Sequence, residues 1–274
     1  ELRSFLENYN FNIIATGLGP DQLKNHNHKY VDLDITCFKK CMFVLNAYHP
    51  EIIINTAAMT NVDQCELDQV SCFKINTKSL ENFIPYVNKY NVHFIQISTD
   101  FVFNGKKSIY FENDICDPVN TYGESKMLAE KKIILSKMPY TILRTSLLYG
   151  VNNNNFLVWI IKQLKNNLSL KIVDDQYRTP TYVSDLNFAI LQVIKLKKHG
   201  IYHISSGESL TIFQIVCNIA KYLNVNSLKI NKVKSVELNQ IATRPANSSL
   251  DIAKAVNDLG FKPTKLNNAL SDIL

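Results

Sequence analysis

Short β-branched runs alternate with helical stretches through the first half of this chain, and that alternation admits few folds. Ile52-Ile53-Ile54, inside Glu51–Asn55, is apolar on both faces, as a strand covered on both sides of a parallel sheet must be. Around it the sequence predicts helix at Glu1–Asn8, strand at Asn12–Thr16, and helix at Thr36–Tyr48 with Thr36 as N-cap. Helix follows at Asn76–Tyr90, strand at His93–Ile97, helix at Thr121–Ser136 and strand at Thr141–Leu143. Strands alternating with helices predict the α/β class and a doubly wound parallel sheet. Ligands of such sheets bind beyond the carboxyl ends of the strands, so Asn55-Thr56-Ala57-Ala58, Ser98-Thr99 and Arg144-Thr145 are expected on one rim. Past Tyr149-Gly150 the pattern loosens into a loop at Asn152–Asn155, helix at Phe156–Leu164, an ordered polar loop at Asp174–Thr181, helix at Tyr182–Lys198, strand at Ile201–Ile204 and helix at Leu210–Leu223. The expected organisation is a core of residues 1–150 plus about 182–204, with a smaller α/β lobe from about 151–181 and 205–274.

With 46% hydrophobic and 20% charged residues, the 274-residue chain reads as globular. No apolar run reaches the length of a membrane span, and the amphipathic Glu1–Asn8 is no signal peptide. The net charge of +6 is spread over single lysines and short pairs such as Lys39-Lys40, without the basic stripe of a nucleic-acid binder; it suits an anionic cofactor and a diphosphate-bearing substrate. Cys37 and Cys41 are four apart but have no second Cys/His pair at a useful spacing, so no metal site is expected. The cysteines read as free thiols of a reducing cytoplasm, and His26 and His28 as solvated. Lysine serves almost everywhere; the only arginines are Arg3, Arg144, Arg178 and Arg244. Arginine is hard to replace where two parallel hydrogen bonds grip a phosphate or carboxylate.

Chemistry concentrates in Ser98-Thr99-Asp100-Phe101-Val102-Phe103-Asn104-Gly105 and in Tyr122-Gly123-Glu124-Ser125-Lys126. Residues four apart share a helix face, so Tyr122 and Lys126 can point into one cleft beside Thr99 at its strand end. Together they make a proton-delivery unit: a phenol, a cation that makes it more acidic, and a hydroxyl that holds the acceptor oxygen.

Thr99 with Tyr122 and Lys126 resembles the Ser/Thr-Tyr-Lys unit of extended short-chain dehydrogenases. Asn55–Asp63, Ser98–Phe103, Arg144-Thr145-Ser146, Asp174–Thr181 and Arg244-Pro245-Ala246-Asn247-Ser248 narrow this, and the whole chain resembles the dTDP-4-dehydrorhamnose reductase family. The resemblance implies a Rossmann-like NAD(P)-binding domain with a substrate lobe. The implied enzyme is a monomer or homodimer that transfers hydride from NADPH or NADH to the C4 ketone of a nucleotide-activated 6-deoxysugar. It implies Thr99, Tyr122 and Lys126 as the catalytic set, with Lys126 also holding the nicotinamide ribose. Gly17 and Leu18 would form the adenosine-ribose loop, Asp34 and Ile35 would meet adenine, and Ala57, Ala58, Met59 and Thr60 would pass under the cofactor beside Asn76 and Ser98. Asp100, Leu147, Gln176, Arg178 and Arg244, with Thr99, would bind substrate, the two arginines at its diphosphate. The sequence departs from the family pattern at Leu147, where the best-known reductases have tryptophan, and at Leu18, where relatives often carry arginine suited to a 2′-phosphate. By the same comparison the chain opens inside the first helix. About a dozen residues carrying the first strand and glycine-rich turn are missing, so weak cofactor binding and lower stability are expected. Two other readings stay open: a sugar-nucleotide epimerase or dehydratase, although no Asp-Glu pair follows Thr99, and a non-catalytic subunit like the regulatory one of methionine adenosyltransferase.

Overall fold

A computed structural model describes residues 1–22, 28–151, 155–225 and 229–273. In chain order the elements are α1 (Leu2–Leu6), β1 (Ile14–Gly17), β2 (Lys29–Asp32), α2 (Phe38–Tyr48), β3 (Ile52–Asn55), α3 (Val62–Leu67), α4 (Gln69–Asn76), α5 (Ile84–Tyr90), β4 (His93–Thr99), α6 (Thr121–Leu135), β5 (Tyr140–Thr145) and β6 (Leu148–Tyr149). They continue as α7 (Phe156–Lys165), β7 (Leu170–Val173), β8 (Tyr177–Arg178), β9 (Thr181–Tyr182), α8 (Val183–Lys195), β10 (Gly200–Ile204), β11 (Leu210–Thr211), α9 (Ile212–Tyr222), β12 (Ile230–Val233), α10 (Ala253–Leu259) and α11 (Leu266–Ile273).

The central sheet runs β10-β5-β4-β3, all parallel. Successive β4 residues face opposite sides. Phe94 packs with Val44, Leu80, Val87, Ile133 and Ile142 under α2, α5 and α6, while Ile95 packs with Leu143, Ile190 and Ile204 under α8. Helices on both faces of a parallel sheet make the expected doubly wound α/β core. The register sets Ser98 opposite Arg144 and Thr99 opposite Thr145, so two strand ends are level at the carboxyl rim. β1 and β2 pair with each other in a separate two-stranded parallel sheet. A further apolar cluster joins Leu157, Ile160, Ile172, Ile215, Val216 and Leu270 around β7 and β12.

Several local expectations are corrected. The single helix expected over 76–90 is α4, a 3₁₀ turn at Lys78–Asn82, and α5. Thr77 leaves the helical path to donate to the Ser125 carbonyl (2.7 Å), and Pro85 suits a fresh helix start. Thr36 is not the cap of α2, which follows Cys37; its hydroxyl donates to Asp34 (2.8 Å). The loop expected at 174–181 contains β8, antiparallel to β11, and the first residue of β9, parallel to β6. Residues 253–261, read as part of the lobe, lie on the core sheet through Ala255, Leu259 and Phe261. His28 is not solvated, since its Nδ1 lies 2.5 Å from Glu7 and its side chain is buried; His26 falls outside the described residues. Of the loop expected at 152–155, only Asn155 is described, and its side chain caps α7 by accepting from the Val158 amide (3.0 Å). The cysteines are free, with Cys41 buried and its thiol donating to the Ile35 carbonyl (3.4 Å). Among the described residues no helix is long and apolar enough to cross a membrane, and no group of three His, Cys, Asp or Glu could hold a metal.

Candidate active site

Thr99 ends β4, and its Oγ1 accepts the Phe101 amide (3.2 Å), turning the chain off the sheet. Two groups fix the start of α6. Asn120 accepts the Gly123 amide (2.8 Å) while its Nδ2 donates to the Thr243 carbonyl (2.8 Å). Glu66 of α3 takes both the Thr121 amide and hydroxyl at 2.7 Å. Gly123 allows the first turn of α6 to lie on the end of β4, because a Cβ there would stand 2.1 Å from the Phe101 carbonyl oxygen. This contact sets the Tyr122 ring edge-on to Phe101, with 6.0 Å between centroids, beside the end of β4. One turn on, the buried Lys126 Nζ donates to the Ile97 carbonyl (2.6 Å).

Burial pushes the Tyr122 phenol above the ordinary tyrosine value, the nearby Thr99 hydroxyl pulls it back, and the Asp100 charge raises it further. Lys126 is not among the leading influences on the phenol. Burial lowers Lys126 itself to about 8, against an upward pull from Glu130. The Lys126 ammonium is turned onto the β4 backbone.

The small-residue loop Ala57–Thr60 follows β3 on the same rim, with Ala57 and Thr60 exposed. Asn76 pins this loop through the Met59 amide (2.8 Å) and carbonyl (3.0 Å), and also donates to Ser125 of α6 (2.9 Å). Ser98 faces elsewhere: its hydroxyl donates to Glu130 (2.5 Å), which pairs with the buried Arg144 (2.6 Å). Gly17, Leu18, Asp34 and Ile35 stand on or beside the separate β1–β2 sheet. Leu18 is 79% exposed and Gly17 lies against the Tyr30 hydroxyl, while the Gly19 amide donates to Asp32 (2.7 Å). Asp34 caps Thr36, which holds its carboxyl below the usual range, and Ile35 packs into the core.

The residues expected at the substrate are largely engaged with the protein. Asp100 is buried, with both carboxylate oxygens occupied by Thr99, Ser146 and Ser248. Arg178 is buried across the Phe101 ring (5.1 Å), donating to the Tyr177 carbonyl (2.7 Å). Gln176 donates to Ser235 (2.9 Å). Leu147 holds φ +40° and packs among the apolar residues of the lobe. Arg244 grips Asp63 with both terminal nitrogens (2.5 and 2.7 Å). Sequence reasoning missed Glu66, Asn120 and Gly123 as the residues that aim α6, and Ser146 and Ser248 as partners of Asp100. Both serines lay inside blocks already quoted, but nothing local pairs Asp100 with positions 46 and 148 residues away.

The family described as the RmlD substrate binding domain matches residues 1–274. A dTDP-4-dehydrorhamnose reductase of Aggregatibacter actinomycetemcomitans is 31% identical over 256 residues, 89% of this chain and 87% of that protein. The spore coat polysaccharide biosynthesis protein SpsK of Bacillus subtilis is 35% identical over 230 residues, 83% of this chain and 80% of its own length. Among solved structures, dTDP-4-dehydrorhamnose reductase from Bacillus anthracis in complex with NADP matches with a TM-score of 0.86 at 30% identity, covering 95% of this chain and 97% of that one.

Proposed function

Because the chain belongs to the RmlD substrate-binding family, we propose that it is an NAD(P)H-dependent reductase of the C4 ketone of a dTDP-activated 6-deoxysugar. Its place is the last reduction of dTDP-L-rhamnose synthesis. The seating of Tyr122 and Lys126 of α6 against the end of β4, where Thr99 stands, carries this reading. Similar proteins are named for this reaction, and a similar structure holds NADP.

The nicotinamide supplies the hydride when bound. The exposed Ala57 and the half-buried Ala58 are small enough to leave room for close approach, Asn76 keeps Met59 and its loop in place, and Lys126 has two further N–H donors beyond the one on Ile97. These residues fit a dinucleotide. As the ketone is reduced, its oxygen gains charge and takes the Tyr122 proton. The phenolate left behind would form at a site where burial opposes it, so it needs a neighbouring cation. Lys126, charged at neutrality, is placed to supply one on leaving the Ile97 carbonyl. For the substrate diphosphate we assign Arg244 before Arg178, since its side chain is 13% exposed against 3%; the diphosphate would compete with Asp63 for it. Asp100 cannot reach a sugar in this arrangement, which favours reduction over dehydration. The free cysteines suit a cytoplasmic enzyme.

Cofactor oxidation with a dTDP-4-keto-6-deoxysugar tests the assignment. Oxidation of NADPH or NADH that depends on the sugar nucleotide is expected, and none with either cofactor would overturn it.

A further inference from the structure

Two side chains of α6, one helical turn apart, hold consecutive residues of β4. Lys126 Nζ donates to the Ile97 carbonyl (2.6 Å), and the Ser98 hydroxyl donates to Glu130 Oε1 (2.5 Å). Arg144 of β5 completes the arrangement. Its Nε lies 3.0 and 3.2 Å from the two Glu130 oxygens, and its Nη2 lies 2.6 Å from Oε2. Ser98, Lys126, Glu130 and Arg144 are all 3% exposed or less. Both partners of Glu130 donate to it, as an ionised carboxylate requires.

Residues four apart on a helix are neighbours on one face, with about 5–6 Å between their Cβ atoms. Glu130 therefore sets a fixed negative charge one turn from the Lys126 ammonium. The remaining contacts of Arg144 lead to other elements: Nη1 reaches the Glu112 carbonyl (3.2 Å) and His203 Nε2 (3.3 Å), and Nη2 reaches Cys116 Sγ (3.3 Å). The other titratable groups on the elements packed against this part of α6 are Cys65 of α3, Cys72 of α4 and Asp100 after β4, with Tyr122 on α6 itself. Burial opposes the Lys126 charge; Glu130 leads the influences that favour it, and Cys72 follows. When Lys126 leaves the Ile97 carbonyl it gives up that hold on β4, whereas Glu130 keeps its place on both strands.

We propose that Glu130 is a positioning residue for Lys126: held on Ser98 and Arg144, its carboxylate keeps the ammonium charged and α6 seated on β4 while Lys126 exchanges Ile97 for its partners in the reaction. The inference rests on the reductase reading above for the task of Lys126. Glu130 itself faces the protein interior and exchanges no proton in turnover.

Lysine labelled with carbon-13 at Cε allows Lys126 to be titrated by NMR in the whole chain without cofactor or substrate, its signal identified by its loss in Lys126→Met. The Lys126 midpoint in Glu130→Gln should fall about one pH unit below wild type. A carboxylate that merely braced the helix would leave the midpoint in place, or let it rise as water reached a loosened lysine. Either result would overturn the proposal. If circular dichroism shows Glu130→Gln unfolded because Arg144 is left unpaired in the core, the double variant Glu130→Gln/Arg144→Met replaces it, since it removes both charges together. The same fall is expected there, and the same two results count against it. Turnover gives a second measure. The deficit of Glu130→Gln in kcat/KM for cofactor should be several-fold larger at about pH 8.5 than at about pH 6.5, with the sugar-nucleotide KM within about twofold of wild type. A deficit equal at both pH values would also sink the idea. Absence of turnover in the wild type would instead overturn the reductase reading, and the NMR titration would still decide the role of Glu130.

Discussion

Tyr122 sits in surroundings that oppose its ionisation, so the acid role proposed for it depends on what compensates for burial. Tyr122→Phe keeps the ring against Phe101 (6.0 Å) and removes only the transferable proton. Turnover should fall about 10²–10⁴-fold with an unchanged circular dichroism spectrum; retention within a few-fold would exclude Tyr122 as the acid. Lys126 sets a second expectation. Lowered to about 8, it loses its charge as pH rises through that value in the free enzyme. The kcat/KM for cofactor, which reports the free enzyme, should therefore decline above about pH 8, and Lys126→Met should abolish the decline along with most activity. A flat profile from pH 7 to 9 would contradict this. That Tyr122 and Lys126 lie one turn apart on a helix was legible because helical spacing is local information. The state of Lys126 was not, because its partner is a backbone carbonyl 29 residues earlier.

At the scale of elements, the seating of α6 on the end of β4 decides where the proposed acid, Tyr122, stands. A methyl at Gly123 would press on the Phe101 carbonyl, which is backbone and cannot swing aside. Gly123→Ala should cost about 1–3 kcal/mol of stability, read as a lower urea midpoint. It should also reduce kcat, because the shift moves Tyr122 from Thr99. An unchanged midpoint would show that α6 can slide without cost. Gly105 plays the same part for the C-terminal segment: its φ is +80°, and a Cβ would lie 2.5 Å from the Ala246 amide. The long helix α6 was readable to within a residue from its polar start and apolar spacing. The break between α4 and α5 was not, because the Thr77–Ser125 bond that stabilises it joins residues 48 apart.

Across the whole molecule, pH bears on the fold as well as on catalysis. His203 is fully buried and lowered to about 3 by burial and by Arg144. Its Nδ1–H donates to the Asp251 carbonyl, and its Nε2 receives Arg144 (3.3 Å), so only the neutral ring fits. The unfolded chain binds a proton near pH 6.5 that the folded one refuses, so stability falls as pH drops from 6.5 toward 3. The slope is at most about 1.4 kcal/mol per pH unit. Asp100 and Asp185, raised by burial, act in the opposite sense, so a paired comparison is needed. The urea midpoint should drop between pH 7 and 5 in wild type and drop less in His203→Asn; equal drops would remove His203 from the account. The α/β class followed from strand and helix periods. The assignment of residues 253–261 to the core sheet did not, since no local pattern says which of two apolar surfaces a short helix will choose. The bond from Ser248 to Asp100 spans 148 residues, and Tyr110 pairs with Leu250 just beyond it. During synthesis, therefore, the ribosome must have passed Ser248 before the floor of the proposed centre can close. A nick in the stretch that carries the exposed Val236 and Ile241 could disassemble that floor without touching a reacting group.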